Sequence, residues 1–417
     1  MQRFYKPLPT LDSQNARNLY ADIAWFGVLS GISGSFLSVF VLRAGGSDFH
    51  VGLLSALPAL VTFLASIPGS RLVEHENKPL SVLIVTAVLS RLGYLAIALS
   101  PFFLTANRAD VIVAIVGFMT VPTAVFNVAF TTMFGQAVKP QDRAHVVSIR
   151  NVWVGITSTA ISFIGGKFLD HLMFPINYQI LFVIGFAASV VSVYHLARIR
   201  LTAEPATKAT QAAGSPKGVR DWVRMLSSSR TYVRFSLSSF FFHWGGFFAI
   251  PLYSIYWVRN LKATDGWVGF LSMVGSATTI VFYPLWGRLT MRRGNACGVL
   301  LAALGLAVYP LATMLSPSVE WIILVQILGG ATTSGYGLTF FNRLLEVSPE
   351  QHRPSYIAAY HTLINLAMFA SPLLSTSLSA TVDIRALLLA GAAMRFLGAL
   401  SFGYCGCKRP VALDGSV

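Results

Sequence analysis

VGLLSALPALVTFLASIPGSRL at residues 51–72 and VGFLSMVGSATTIVFYPLWGRL at residues 268–289 are apolar stretches that begin and end alike. VGLLS at 51–55 meets VGFLS at 268–272, and Arg71-Leu72 meets Arg288-Leu289, all at one offset of 217 residues. A second correspondence, at an offset of 209, sets Val138 and Pro140 of AVKPQDR against Val347 and Pro349 of EVSPEQHR. Both pairs occupy equivalent places in the two halves of the chain, the mark of a duplicated architecture. Each stretch is also long enough to cross about 30 Å of hydrocarbon as a helix.

The composition extends that reading to the whole chain. Of 417 residues, 54% are hydrophobic and 11% charged, whereas a soluble domain carries about 25% charged residues. A water-soluble enzyme is excluded, and three cysteines, Cys297, Cys405 and Cys407, do not make a disulfide scaffold. Apolar runs lie at 22–42, 50–72, 80–104, 111–138, 146–169, 177–199, 231–258, 267–289, 296–316, 319–345, 355–379 and 384–406. They are continuous rather than alternating, so they read as helices and not as lipid-facing barrel strands. An all-α polytopic membrane protein of twelve transmembrane helices is expected.

The net charge of +15 would suggest nucleic acid in a soluble protein. Here most of the 31 basic residues fall in alternate loops on one side, and the opposite loops hold only Arg43, Arg108, Lys167, Arg259, Lys262 and Arg385. The bias places both termini in the cytoplasm by the positive-inside rule, in a plasma or inner membrane, and leaves no need for a nucleic-acid partner. Residues 1–20 are polar, with Asp12, Gln14, Asn15 and Asn18, so the first span reads as a signal anchor rather than a cleavable signal.

The longest loop divides the spans six and six. Its first part, TAEPATKATQAAGSPK, is a flexible linker. In GVRDWVRML, Val219, Trp222, Val223 and Leu226 share a helical face opposite Arg220 and Arg224, which reads as a short surface helix or an ordinary connector. The expected organisation is a cytoplasmic N-terminal segment (1–20), a six-helix bundle (21–200), a cytoplasmic linker (201–229), a second six-helix bundle (230–407) and a cytoplasmic tail (408–417). Two halves in one orientation are the parallel-repeat plan, which places a substrate path at the interface of the halves.

With these features the chain resembles the major facilitator superfamily over nearly its whole length. The family's loop signature, Gly-x-Leu-x-Asp-Arg-x-Gly, is partly kept as GRLTMRRGN, where Gly287, Leu289, Arg292 and Gly294 match and Met291 departs at the acidic position. The other copy reads SRLVEHENK, in which Ser70 replaces the first glycine, Glu74 supplies the acid, and His75 and Asn77 depart. The resemblance implies alternating access, with spans 1, 4, 7 and 10 lining a central cavity. A cytosolic carboxylate in this loop can pair with a basic group or a helix N-terminus. Glu74 is the expected gate latch, with Arg150 or the start of span 11 after Pro354 as its partner and Arg292 in the second copy; the alternative is a solvated charge.

Polar groups inside spans are costly and therefore informative. Span 4 aligns Thr120, Thr123, Asn127 and Thr131, span 10 aligns Thr332, Tyr336 and Thr339, and Asn127 meets Tyr336 at the offset of 209. By the resemblance these two are opposed cavity positions; interhelical hydrogen bonding is the alternative. Span 7 carries Ser236, Ser239, His243 and Gly246 within SSFFFHWGGFF. His243 reads as a solute ligand or proton carrier, or as a histidine satisfied by a neighbouring hydroxyl; Trp244, Phe247 and Tyr253 offer stacking surfaces or pack against lipid and helices. Span 11 shows His361, Asn365, Met368 and Pro372, with Asn365 a further solute-binding candidate, and the small residues Gly155, Ser158, Ser162 and Gly165 of span 5 imply close packing. The antiporter ending Gly-Pro-x-x-Gly-Gly survives only as Gly165-Gly166, which weakens export by antiport.

Arg91 and Arg395 lie mid-span with no intramembrane acid in view, so each needs snorkelling, structural bonds or an anionic ligand, and Arg91 is the anion-binding candidate. Asp22, placed one turn into span 1, is the carboxylate candidate for proton coupling or a helix-terminal charge. Bending points are expected at Pro58, Pro122, Pro251, Pro284 and Pro372. The chain has no phosphate-binding loop, no paired deep carboxylates and no metal-spaced Cys/His cluster. The reading is a monomeric secondary transporter, without catalytic residues, metal or cofactor, that moves a small polar or amphipathic organic solute and uses protons, another ion or simple diffusion. Alternatives are a non-transporting sensor or assembly factor of the same fold and a lipid or drug exporter.

Overall fold

The structure, a computed structural model, describes residues 10–75, 79–103, 107–139, 141–201, 229–350 and 353–403. The expected linker with its surface helix, and Cys405 and Cys407, fall outside the described residues. The described elements are α1 (Thr10–Arg43), α2 (Asp48–His75), α3 (Pro79–Phe103), α4 (Arg108–Ala137), α5 (Arg143–His171) and α6 (Ile176–Ala197). They continue with α7 (Arg230–Ile255, prolonged by a π-helical turn at Tyr256–Asn260), α8 (Asp265–Leu315), α9 (Trp321–Val347), α10 (Arg353–Leu378) and α11 (Ile384–Gly403). Helices satisfy their backbone groups internally, which is what hydrocarbon demands.

Among the described residues, 11 helices are long and apolar enough to cross a membrane, one fewer than the twelve expected. The difference lies in α8, where the eighth and ninth expected spans run together over 51 residues. Helical geometry is lost inside it at Gly294, with φ 78° and ψ 164°, a conformation open essentially to glycine alone. The turn of the loop signature is thus one glycine deep. The helices also continue through Pro58, Pro122, Pro251, Pro284 and Pro372, because packed neighbours tolerate one missing N–H bond.

The chain divides into two compact units. One comprises Met1–His50, Leu57–Ala209 and Thr264–Phe270, the other Val51–Ala56, Thr210–Ala263 and Leu271–Val417. In the first, α1 packs on α5 and α6, and α3 on α4 and α6, around Leu19, Leu83, Val125, Met133, Val146 and Leu196. Small residues set the α1–α5 distance. A Cβ on Gly31 would stand 2.6 Å from the Ser158 carbonyl oxygen and 2.9 Å from its Cα, and Ser35 and Ser162 share a hydroxyl bond of 2.8 Å. In the second unit α7 packs on α10 and α11, around Phe235, Phe242, Val299, Leu344, Tyr356 and Phe402. Large apolar side chains also point outward: Phe118 is 80% exposed and Phe102 78%. Soluble proteins avoid broad apolar surfaces, which a membrane covers with lipid.

Candidate functional site

In the first unit the polar interior is a charge network. The α1 helix begins at Thr10, so Asp22 stands well inside it rather than one turn from its start. Its carboxylate accepts from Arg150 Nη1 at 3.1 Å and from the Ser192 hydroxyl at 2.6 Å. Ser192 accepts in turn from Arg91 Nη2 at 3.1 Å, so one serine relays between an acid and a second base. Arg150 Nη1 also donates to the Leu19 carbonyl at 2.6 Å. Asp22, Arg91, Arg150 and Ser192 are all buried. Aromatic faces complete the enclosure: Arg91 lies 5.4 Å from the Phe26 and Phe126 ring centres, and Arg150 4.8 Å from that of Phe130. Four helices, α1, α3, α5 and α6, are thereby tied through two arginines and one carboxylate. The acid partner of Arg91 is a residue that the sequence placed at a span end.

The threonines of α4 are spent locally. Thr120, Thr123 and Thr131 donate to the carbonyls of Val116, Met119 and Asn127, each one turn back. Asn127 itself is exposed, and its amide makes no hydrogen bond among the described residues. It is the polar side chain of that face whose hydrogen-bonding groups are not spent within the helix.

In the second unit, Thr332 and Thr339 likewise donate to Leu328 and Gly335 of their own helix. Tyr336 differs. Its ring stacks on Phe242 at 4.8 Å and on Phe340 at 4.9 Å, while its hydroxyl is buried without a hydrogen-bond partner. Beside it, His243 Nδ1 stands 2.8 Å from the Ser239 carbonyl oxygen. A carbonyl only accepts, so Nδ1 carries a proton, and whenever the ring is neutral Nε2 is its acceptor. The His243 and Tyr336 rings meet edge to face at 5.7 Å. Trp244 packs its ring against Phe240, and its carbonyl accepts from Ser371 at 2.7 Å. Asn365 is half-buried on α10 and, among the described residues, makes no hydrogen bond through its side chain.

Of the expected gating residues, the structure describes the side chains of Arg150 and Arg292. Glu74 lies in the last turn of α2, and its side chain is outside the described residues. Arg150 is engaged with Asp22, and Arg292 is exposed just before Gly294. An ion pair that the sequence did not suggest lies elsewhere in the first unit. Arg43, ending α1, meets Asp265, opening α8, at 3.4 Å. Asp170 of α5 accepts there from the Gly266 N–H at 3.0 Å and the Thr264 hydroxyl at 3.1 Å. Arg43 and Asp265 are 222 positions apart, too far for any spacing rule to join them.

The eleven apolar helices among the described residues, with large apolar side chains pointing outward, mark an integral multi-pass membrane protein. A family model described as Major Facilitator Superfamily matches residues 23–256 and 235–412, and the chain belongs to that superfamily, one of transporters rather than enzymes. No curated protein sequence matches it. Among solved structures it is similar to a bacterial homologue of the human lysosomal transporter Spinster, inward-facing and occupied (13% identity, 95% of this chain and 97% of that one, TM-score 0.67). It is also similar to the nucleoside transporter NupG (11% identity, 95% and 99%, TM-score 0.70). A third is the human organic anion transporter MFSD10 (12% identity, 95% and 100%, TM-score 0.64). At these identities the likeness is one of fold, and fold alone does not choose a substrate.

Proposed function

We propose that the protein is a secondary transporter that moves a small polar or amphipathic organic solute by alternating access, with both termini in the cytoplasm. The observation that carries the reading is the distribution of unspent polar groups. Most intramembrane hydroxyls bond their own helix, whereas the exposed Asn127 of the first unit keeps its hydrogen-bonding capacity, as do His243 Nε2 and the Tyr336 hydroxyl within the aromatic surround of the second. Solute sites have this composition, mostly apolar with a few oriented polar groups. Solved relatives whose names record nucleoside or peptide transport support an organic solute.

The break at Gly294 supports reading α8 as two spans, which makes twelve and a six-plus-six plan with bundles at 21–200 and 230–407. We assign Asp22 and Arg150 to holding α1, α3, α5 and α6 together, which leaves coupling to His243, another ion or none. Trp244 and Asn365 are secondary solute contacts. The test is thermal unfolding of the purified protein against sugars, amino acids, nucleosides, organic anions, cations and lipids at two pH values, since a ligand of the folded state raises its apparent stability. The proposal predicts at least one stabilising solute whose effect falls on replacing Asn127, His243 or Tyr336. No stabilising solute across these classes would favour a sensor or assembly role.

A further inference from the structure

Arg395, on α11, is the buried cation that the transport reading has not used. Among the described residues it forms no ion pair, its Nε is buried without a partner, and the Tyr253 hydroxyl stands beside the guanidinium at the edge of hydrogen-bonding reach. Its guanidinium lies over the Phe242 ring at 4.8 Å and against Gly246, where an added Cβ would stand 3.5 Å from Cζ. Its electrostatic neighbours are Tyr253, Tyr336, Tyr309 and His243, with no carboxylate among them. The Tyr336 hydroxyl is buried and unpartnered as well, and that of Tyr253 makes no full hydrogen bond, whereas Tyr309 donates to Gln326 at 3.3 Å. The contrast with the first unit is chemical: Arg91 and Arg150 share Asp22, and Arg395 has no counterpart of that acid.

A buried, unpaired charge and two hydroxyls without full hydrogen bonds each cost free energy, and all three groups are hydrogen-bond donors. A buried acceptor would satisfy them. One fixed positive charge is neutralised by one negative charge, whereas a phosphate dianion would leave a net charge in a low-dielectric interior. The planar guanidinium fork matches a carboxylate in two parallel bonds. The rings of Phe242, Tyr336 and Phe340 form an apolar stack beside it, suited to a lipophilic body.

We propose that Arg395, with the hydroxyls of Tyr253 and Tyr336, forms a binding site for a monocarboxylate inside the second unit, and that the transported solute is a lipophilic carboxylic acid. Its transport half rests on the function proposed above; its binding half is tested without transport. The full chain, purified with sulfate as the bulk anion, is titrated by thermal unfolding and calorimetry with benzoate, octanoate and acetate. Benzamide, octanamide, acetamide and chloride serve as controls. Benzoate or octanoate stabilises the protein and its amide does not. Arg395→Gln lowers carboxylate affinity about 10- to 100-fold, as expected for lost charge-assisted bonds, and Arg395→Lys restores part of it.

Should Arg395→Gln not fold, the Tyr253→Phe, Tyr336→Phe double variant keeps both rings, and a fall in carboxylate affinity supports the site. Equal responses to acid and amide, unchanged affinity in the variants, no response to any of the three acids, or saturation by chloride alone would overturn it. The uptake arm uses proteoliposomes. Carboxylate binding without uptake of that acid upholds the site and overturns the transport half. Uptake of other solutes without carboxylate binding overturns the site and leaves the transporter reading standing.

Discussion

Asp22 shows how one residue's meaning depends on where its helix starts. Residues 10–21, TLDSQNARNLYA, are too polar for a hydropathy reading to include them in a span, yet they form the first turns of α1. Extending the helix moves Asp22 inward, to Arg150 and Ser192, and supplies the acid that Arg91 lacked in the sequence. Replacing Asp22 by Asn leaves two buried guanidinium groups without a counter-charge, so stability should fall by about 3–5 kcal/mol. Thermal unfolding in detergent measures this; a fall no larger than that of an exposed control such as Asp110→Asn would show the network to be unimportant. Tyr336→Phe should behave oppositely. It removes an unpartnered hydroxyl, so stability should hold or rise by up to about 1–3 kcal/mol while solute affinity drops. A loss of stability with unchanged affinity would contradict the assignment of Tyr336 to solute.

At the scale of elements, glycine carries two distinct tasks. The α1–α5 crossing depends on Gly31, since a Cβ there would meet backbone atoms of Ser158 that cannot rotate away. Gly31→Ala should therefore cost about 1–3 kcal/mol by overpacking, readable as a lower unfolding temperature. The small-residue stripe on α5 predicted close packing without naming the partner helix, because spacing within one helix carries no information about what faces it. Gly294 acts through conformation instead, with open space where an added Cβ would stand. Gly294→Ala should cost about 1–3 kcal/mol through backbone strain alone. Wild-type stability in that variant would mean that the break in α8 does not depend on glycine. The signature GRLTMRRGN pointed to this turn, but helix persists through Arg293, because nothing before Gly294 forces the chain out of helical geometry.

At the scale of the whole molecule, the hydropathy pattern and the two sequence offsets made most of the architecture legible, because lipid imposes one length and one secondary structure on every span. The candidate site was less legible. His243, Tyr336 and Asn127 were visible as polar residues in apolar runs, whereas the pairing of Asp22 with Arg91 and Arg150, and the grouping of tyrosines around Arg395, join residues from distant parts of the chain. Tertiary folding alone brings them together. The most direct test of the central claim is solute counterflow in proteoliposomes, with a stabilising solute unlabelled inside and labelled outside. A transporter working by alternating access accumulates label transiently above equilibrium, faster than empty vesicles and slowed in the His243→Ala variant. Label entry equal to that of empty vesicles, for every solute that stabilises the protein, would contradict transport.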